Sequence, residues 1–438
     1  MNMDEEETFR QDPDDLENNE EDSAESLSSN DDFSSEEDDS FVESTYFRVP
    51  SDDEEFFHKT EDDPNPVYNW NIARELMHRE HNIINRIGWR GGHTSDQSFG
   101  QGFYSSRQAV EHLILVKRLK TNSISSLNFN RDGDLLCTGN ESGNVTVWDW
   151  ENNKELHRFC PDPSELTQTK FIDSTGFLGI MSSNLTGEVF FTPILPSGGA
   201  TRSKCLYKHK KGPAHDFLIV PQCPNEVMSV GEDGAVNHFD LRTSDEVTTL
   251  VKCVDQKKRA LCLRTIAHHP FSPEFCVGGN DFKLRVYDKR KLTEPAHEKT
   301  PHLVWKFHCT AFIPCIVYNH SGSEILACFF KIGIFLFDSR NYTEDEFLHY
   351  YKKHYLHMNF FGPRSEYIVT SNGLCMSIYD KETEAIISEN RFANCALDVH
   401  LKPHPWKPVL ATATFSRPVV KIWTPNGQWP INSEIVLV

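Results

Sequence analysis

The sequence predicts an all-β fold, a seven-bladed β-propeller, and three observations predict it. A short β-rich run ending in an aromatic, usually followed by Asp, recurs along the chain. The recurrences are evenly spaced, and each unit repeats the same internal order of strands and turns. The run stands at VTVWDW (Trp148, Asp149), GEVFFT (Phe190, Phe191), AVNHFDLR (Phe239, Asp240) and LRVYDKR (Tyr287, Asp288). It returns at GIFLFDSR (Phe337, Asp338), MSIYDKE (Tyr379, Asp380) and VVKIWTP (Ile422, Trp423).

Measured at positions 149, 191, 240, 288, 338, 380 and 423, the intervals are 42, 49, 48, 50, 42 and 43 residues, the period of WD repeats. The internal order is clearest in SISSLNFNRDGDLLCTGNESGNVTVWDW. One strand alternates to Phe129, a turn follows at Arg131-Asp132-Gly133, a second strand runs from Leu135 to Gly139, and a third follows Glu141-Ser142-Gly143. A small sheet of this kind cannot bury both faces alone, so the sheets must stack around an axis and close. Nothing after Trp423 supplies an outer strand for the last blade, and LILVKRL (residues 113–119) is expected to pair there and latch the ring. A β-sandwich competes with this reading, and the second unit, which lacks the terminal Asp, also reads as an ordinary hairpin.

Four segments follow: an acidic tail at 1–63, a helix and Gly-rich linker at 64–112, the propeller at 113–425, and a short C-terminal tail at 426–438. The first contains 26 Asp and Glu against 3 Lys and Arg, leaving 39 acids and 41 bases in the remainder. So acidic a segment cannot offset its ordering entropy by apolar burial and is expected to be disordered. The nearly neutral remainder offers no broad basic footprint, which argues against direct binding of nucleic acid.

In the second segment, Asn65 suits an N-cap, Pro66 the first helical position and Gly88 the residue past the end, bracketing a helix of about 22 residues. Ile72, Leu76, Ile83 and Ile87 fall at helical spacing, with Trp70 near the start. Such a helix must pack outside the propeller or be presented to a partner.

No basic segment followed by an apolar run opens the chain, and about 18 consecutive apolar residues occur nowhere, so neither secretion nor a membrane span is expected. The 12 cysteines include no C-x-x-C pair. Several, such as Cys262, Cys276 and Cys328, lie in strand-like runs and read as reduced, buried hydrophobes of a nuclear and cytoplasmic protein. The stretch GWRGGHTSDQSFGQGFYSS holds neither phosphate-binding glycine pattern, and no nucleophile-elbow motif occurs. The histidine spacings His354-x-x-His357, His209-x5-His215 and His400-x3-His404 lack a helical face with further ligands. No enzyme activity, cofactor or metal is expected, and hydrogen bonding within blades explains the histidines.

The endings FDLR, YDKR and FDSR place Arg242, Arg290 and Arg340 two residues after Asp240, Asp288 and Asp338 in consecutive units. Equivalent positions share a rim, so the arginines would form a belt suited to carboxylates at an interface. Alternatively, each Arg pairs with its own Asp.

Several blocks resemble the WD-repeat substrate receptors of cullin-4 RING ubiquitin ligases, the damage-binding-adaptor- and cullin-4-associated factors. They are HKKGPAH with SVGEDGAVNHFDLR, CVGGNDFKLRVYDKRKL, IVYNHSGSEILA, NFFGPRSEYIVTSN, and KPHPWKPVLATA with VVKIWTP, within residues 67–425. The resemblance implies a non-catalytic receptor, a monomeric propeller within a complex, whose partners are the cullin-4 ligase adaptor and an unknown substrate. It implies that Asp240, Arg242, Asp288 and Arg290 face the adaptor, with Arg340 less closely matched, and that the N-terminal helix (Trp70, Ile72, Leu76, Ile83, Ile87) helps to dock it. Phe or Tyr stands where Trp is usual in four repeat ends, and KTNSISS opens the first unit where Gly-His is usual. The competing function is an acidic-tailed WD-repeat scaffold or chaperone for basic proteins such as histones. In the tail, SSEEDDS sets Ser34 and Ser35 before acids, and phosphates there would add charge.

Overall fold

Alternate residues of a strand point to opposite faces of its sheet, and here both faces are buried. In the strand Glu324–Phe329, Ile325, Ala327 and Phe329 face the preceding blade, whereas Leu326 and Cys328 face the following one. This is why the inner strands read as unbroken apolar runs rather than alternating ones. Seven such clusters, one between each pair of neighbouring blades, make up the core.

The computed structural model describes residues 70–84 and 96–426, apart from 175–176, 196–198, 201, 244–246, 256, 293–300, 302, 307–311, 341–346, 353–356, 372–374, 392–398 and 415–416. The acidic segment 1–63, Asn65, Pro66, Ile87, Gly88 and residues 427–438 lie outside the described residues.

Seven antiparallel sheets are present. Blade 1 runs from Ser126–Phe129 to Lys154–Phe159, and blade 2 from Leu166–Ser174 to Lys204–Lys208. Blade 3 holds Ala214–Val220, Cys223–Gly231, Ala235–Asp240 and Thr248–Lys252, and blade 4 holds Leu263–His268, Glu274–Gly279, Lys283–Asp288 and Leu303–Lys306. Blade 5 spans Cys315–Tyr318 to His349–Tyr351, and blade 6 His357–Phe361 to Ile386–Arg391. The first strands of successive blades touch in a closed cycle, so they line the axis. The second unit is a full blade, with the short strand Gly199–Ala200 added to its third strand.

Blade 7 is built from both ends of the domain. Val399–Pro403, Leu410–Thr414 and Arg417–Pro425 supply three strands, and Leu113–Lys120 pairs antiparallel with the last of them, Leu113 opposite Pro425 and Lys120 opposite Val419. The expected latch is therefore observed. Leu119, fully buried, joins the cluster between blades 7 and 1.

In the segment read as a helix and Gly-rich linker, the described residues are largely helical. Beyond α1 (Ile72–Ile84), it contains α2 (Asp96–Tyr104) and α3 (Arg107–Glu111), the latter capped by Ser106 Oγ accepting from Ala109 N. Both cover the seam between blades 6 and 7. Tyr104 stacks edge-on against Phe361 at 5.1 Å and donates to the His404 carbonyl, Tyr367 donates to the Ser105 carbonyl, and Val110 is fully buried. Apolar residues at 99, 103, 104 and 110, scattered among glycines and polar residues, gave too weak a period to signal these short helices.

Helix α1 has 13 residues and starts later than expected, with Asn71 Oδ1 accepting from Arg74 N in the capping role assigned to Asn65. Trp70 packs on α2 against Phe99 and Phe103, at 5.7 and 5.5 Å between ring centres. Of the expected apolar stripe, Leu76 is 45% exposed, and its neighbour Met77 is 63% exposed. No helix among the described residues is long and apolar enough to cross a membrane.

Candidate functional site

Most of the polar side chains singled out in the sequence are used to hold blades together. His209, just before blade 3, lies 3.0 Å through Nδ1 from Asp233 and 2.7 Å through Nε2 from Ser229 Oγ. Asp233 also accepts from Ala235 N and Lys210 N, fixing the turn between the second and third strands. In blades 1 and 7 the third-strand Trp donates to a second-strand threonine: Trp148 Nε1 to Thr138 at 3.2 Å and Trp423 Nε1 to Thr412 at 2.9 Å. Blade 3 has Phe239 at that position, which carries no N–H, and Tyr207 supplies the missing donor to Ser229 at 2.6 Å. Tyr207 lies on the outer strand of blade 2, so the loss of Trp is offset from the neighbouring blade.

His269 and His404 form a second matched pair. Each follows the first strand of its blade, and its Nδ1 accepts two backbone N–H groups: Phe271 and Ser272 on His269, Trp406 and Lys407 on His404. Their rings lie over Gly322 and Gly133, both at positive φ, where an added Cβ would fall 2.2 to 2.3 Å from Nε2. The role is structural, and it requires a neutral imidazole. Burial, reinforced by Lys407, lowers the His404 pKa to about 4.

The Asp–Arg endings are different, because their charged ends face outward. Arg242 donates to Asp240 from its backbone N (3.0 Å), Nε (3.0 Å) and Nη2 (2.7 Å). Arg290 repeats the pattern on Asp288 at 3.0, 3.1 and 3.0 Å. The guanidiniums are 60% and 71% exposed, whereas the carboxylates are 18% and 4% exposed. Hydrogen bonding from Arg242 lowers the Asp240 pKa to about 2, and Arg290 likewise lowers that of Asp288. Each Arg therefore does pair with its own Asp, and the pairing presents the guanidinium in one pose. Arg340 retains only the backbone contact, N to Asp338 Oδ1 at 2.8 Å. The structure thus makes two equivalent forks from the expected belt of three.

Between the forks the rim is fixed by Lys289, whose Nζ pairs with Glu226 of blade 3 and lies 3.1 Å from His238 Nε2. His238 in turn meets Glu226 at 2.9 Å. Gln222 Nε2 reaches the Pro270 carbonyl of blade 4. Sequence reasoning missed Phe271, 67% exposed on the turn after the first strand of blade 4. That turn opens onto the same face as the forks, because first-to-second and third-to-fourth strand turns share one end of a blade. The signal was available: HPFSP and HPWKP repeat one pattern in blades 4 and 7, and Trp406, the equivalent of Phe271, is 56% exposed.

The ring of seven sheets and the His–Ser–Asp and Trp–Thr bonds decide the class. The chain is a seven-bladed β-propeller. A model of the Vps8 beta-propeller matches its residues 102–231. The human DDB1- and CUL4-associated factor 6 is 24% identical over 271 residues, covering 56% of this chain and 30% of that protein. Protein ALTERED SEED GERMINATION 2 of Arabidopsis thaliana is 23% identical over 278 residues, covering 52% and 37%. The chain thus spans about a third of the length of these curated relatives. Among solved structures, the Cps50 (Swd1) beta-propeller domain of Myceliophteria thermophila aligns with a TM-score of 0.60 at 15% identity, over 72% of this chain and all of that one.

Of the helix residues expected to dock a partner, Trp70 is half-buried against α2 and Leu76 is exposed, while the side chains of Ile72 and Ile83 lie outside the description.

Proposed function

We propose that this propeller is a non-catalytic substrate receptor that binds the adaptor of a cullin-4 RING ubiquitin ligase through the Arg242 and Arg290 forks. The observation that carries the reading is the identical presentation of two exposed guanidiniums on neighbouring blades. The buried side of each Asp restrains its Arg in advance, so less side-chain freedom is lost when a partner carboxylate or carbonyl takes the remaining N–H donors. Phe271 supplies an apolar anchor on the same face, as interface centres require. The relative matched above is named for association with DDB1 and CUL4, and the sequence blocks resemble most nearly the eighth member of that set. In this role chemistry belongs to the partner enzymes, and the propeller contributes proximity between target and conjugating enzyme.

The test is an affinity purification of wild type beside Arg242→Ala/Arg290→Ala, scored for the adaptor by mass spectrometry. Capture by wild type and loss from a variant with unchanged circular dichroism and melting supports the reading. Capture by neither protein overturns it, and a partner set lost only on deleting residues 1–63 would favour the acidic scaffold for basic proteins.

A further inference from the structure

Blades 3 and 4 carry a second constellation at the other end of the strands that hold the forks. His215 lies in the first strand of blade 3, Glu232 opens the turn after its second strand, and Cys262 immediately precedes the first strand of blade 4. Cys262, read in the sequence as a buried strand residue, is in fact half-buried and outside the strand. His215 Nε2 lies 3.4 Å from Cys262 Sγ and 3.8 Å from Glu232 Oε1, and the three ligand atoms are all within 4.8 Å of one another.

We infer that His215, Glu232 and Cys262 form a zinc site joining blades 3 and 4, with the fourth position open to water. Bonds of about 2.3 Å to sulfur and about 2.0–2.2 Å to nitrogen and oxygen, at tetrahedral angles, separate ligand atoms by about 3.3–3.6 Å. The His215–Cys262 spacing already fits, the His215–Glu232 spacing is slightly long, and the third, within 4.8 Å, closes as the Glu232 carboxylate swings toward the thiol. One thiol, one imidazole and one carboxylate make a mixed set that suits zinc better than calcium or magnesium, which take oxygen alone. The neighbouring His209 cannot compete, since both its ring nitrogens are engaged within blade 3.

The backbone makes room for this gathering. A Cβ at Gly279 would fall 2.4 Å from the Cys262 carbonyl oxygen, and one at Gly212 would fall 2.3 Å from Glu232 Oε2. Of the cations near Cys262, Arg264 and Lys211, Arg264 is directed elsewhere: its Nε donates to Asn280 at 2.8 Å and its guanidinium lies 4.9 Å from the Phe312 ring centre. Among the described residues, Glu232 meets no Lys or Arg within ion-pair distance. Binding replaces the thiol proton by the metal, so one proton is released to solvent as the Zn–S bond forms. The ion would tie together, from the opposite face, the two blades whose forks form the rim. The inference stands whether or not that rim binds a ligase adaptor.

The test uses the full chain, stripped of metal and titrated with Zn²⁺ alone and then with Co²⁺ as a spectroscopic substitute. One equivalent bound, a thiolate-to-cobalt charge-transfer band, and a rise in melting temperature with Zn²⁺ are expected. Cys262→Ser should remove the band, and His215→Ala should weaken Zn²⁺ by at least about 100-fold, the upper range for loss of a supporting group alone. Cys160→Ser, at an exposed cysteine outside the cluster, should retain both properties. Circular dichroism identifies a variant that fails to fold, in which case Glu232→Gln, expected to weaken Zn²⁺ while keeping the band, replaces it. No binding by wild type, or an unchanged band in folded Cys262→Ser, overturns the proposal.

Discussion

Blades 4 and 6 both place a lysine directly after the Asp that ends the third strand, and each lysine reaches back to a Glu at the start of the preceding blade's second strand. Lys289 meets Glu226 and Lys381 meets Glu324, the latter at 3.0 and 3.1 Å. The next residue separates the two regions. Arg290 forms an outward fork on Asp288, whereas Glu382 leaves Asp380 to cap its turn through the backbone N–H groups of Glu382 and Thr383. The comparison separates a recurrent brace between blades from a feature confined to blades 3 and 4. A fork whose Arg side chain is 60–71% exposed contributes little to stability, and an exposed charge of that kind is suited to a partner.

Four changes would break or sharpen this contrast. The largest expected effect is the loss of adaptor capture in Arg242→Ala/Arg290→Ala with the melting temperature unchanged, while Arg340→Ala, lacking the fork, retains capture in the same pull-down. Lys381→Met should act in reverse. It leaves the largely buried Glu324 with only Asn319 as a close donor and should cost about 1–3 kcal/mol in urea unfolding, with adaptor binding intact. Phe271→Ala should weaken adaptor binding about tenfold by calorimetry, equivalent to about 1.4 kcal/mol, without lowering the melting temperature.

The smallest effect concerns pH. His404 has its folded pKa lowered to about 4 from an ordinary value of 6.5, so folding favours the neutral ring. Its contribution is complete above about pH 6.5 and is lost progressively as pH falls toward 4. His404→Asn keeps an oxygen acceptor for Trp406 N and Lys407 N but cannot titrate, and it should flatten the unfolding free energy between pH 6.5 and 4. An unchanged slope would show that other groups govern that window.

Sequence periodicity exposed the ring and even its closure, because a missing outer strand after Trp423 left LILVKRL as the one unassigned run of the right character. The forks were visible too, since Asp and Arg are two residues apart and the geometry follows from one turn. Helices α2 and α3 were hidden: they are short, and what stabilises them is the seam between blades 6 and 7 rather than any pattern of their own. Phe271 could be seen only by setting HPFSP beside HPWKP.

The sequence by itself determined the number of blades, their recurring order of strands and turns, and the Asp–Arg pairs of blades 3 and 4, because those depend on contacts within one repeat of about 45 residues. Tertiary structure alone decided which polar groups meet across blades. Glu226 with Lys289, and His215 with Glu232 and Cys262, are separated by 63 residues in the first case and brought together across one interface in both. No local period encodes such meetings. They arise because closing the ring sets the end of one blade's strands beside the start of the next, and only the packed sheets fix that alignment.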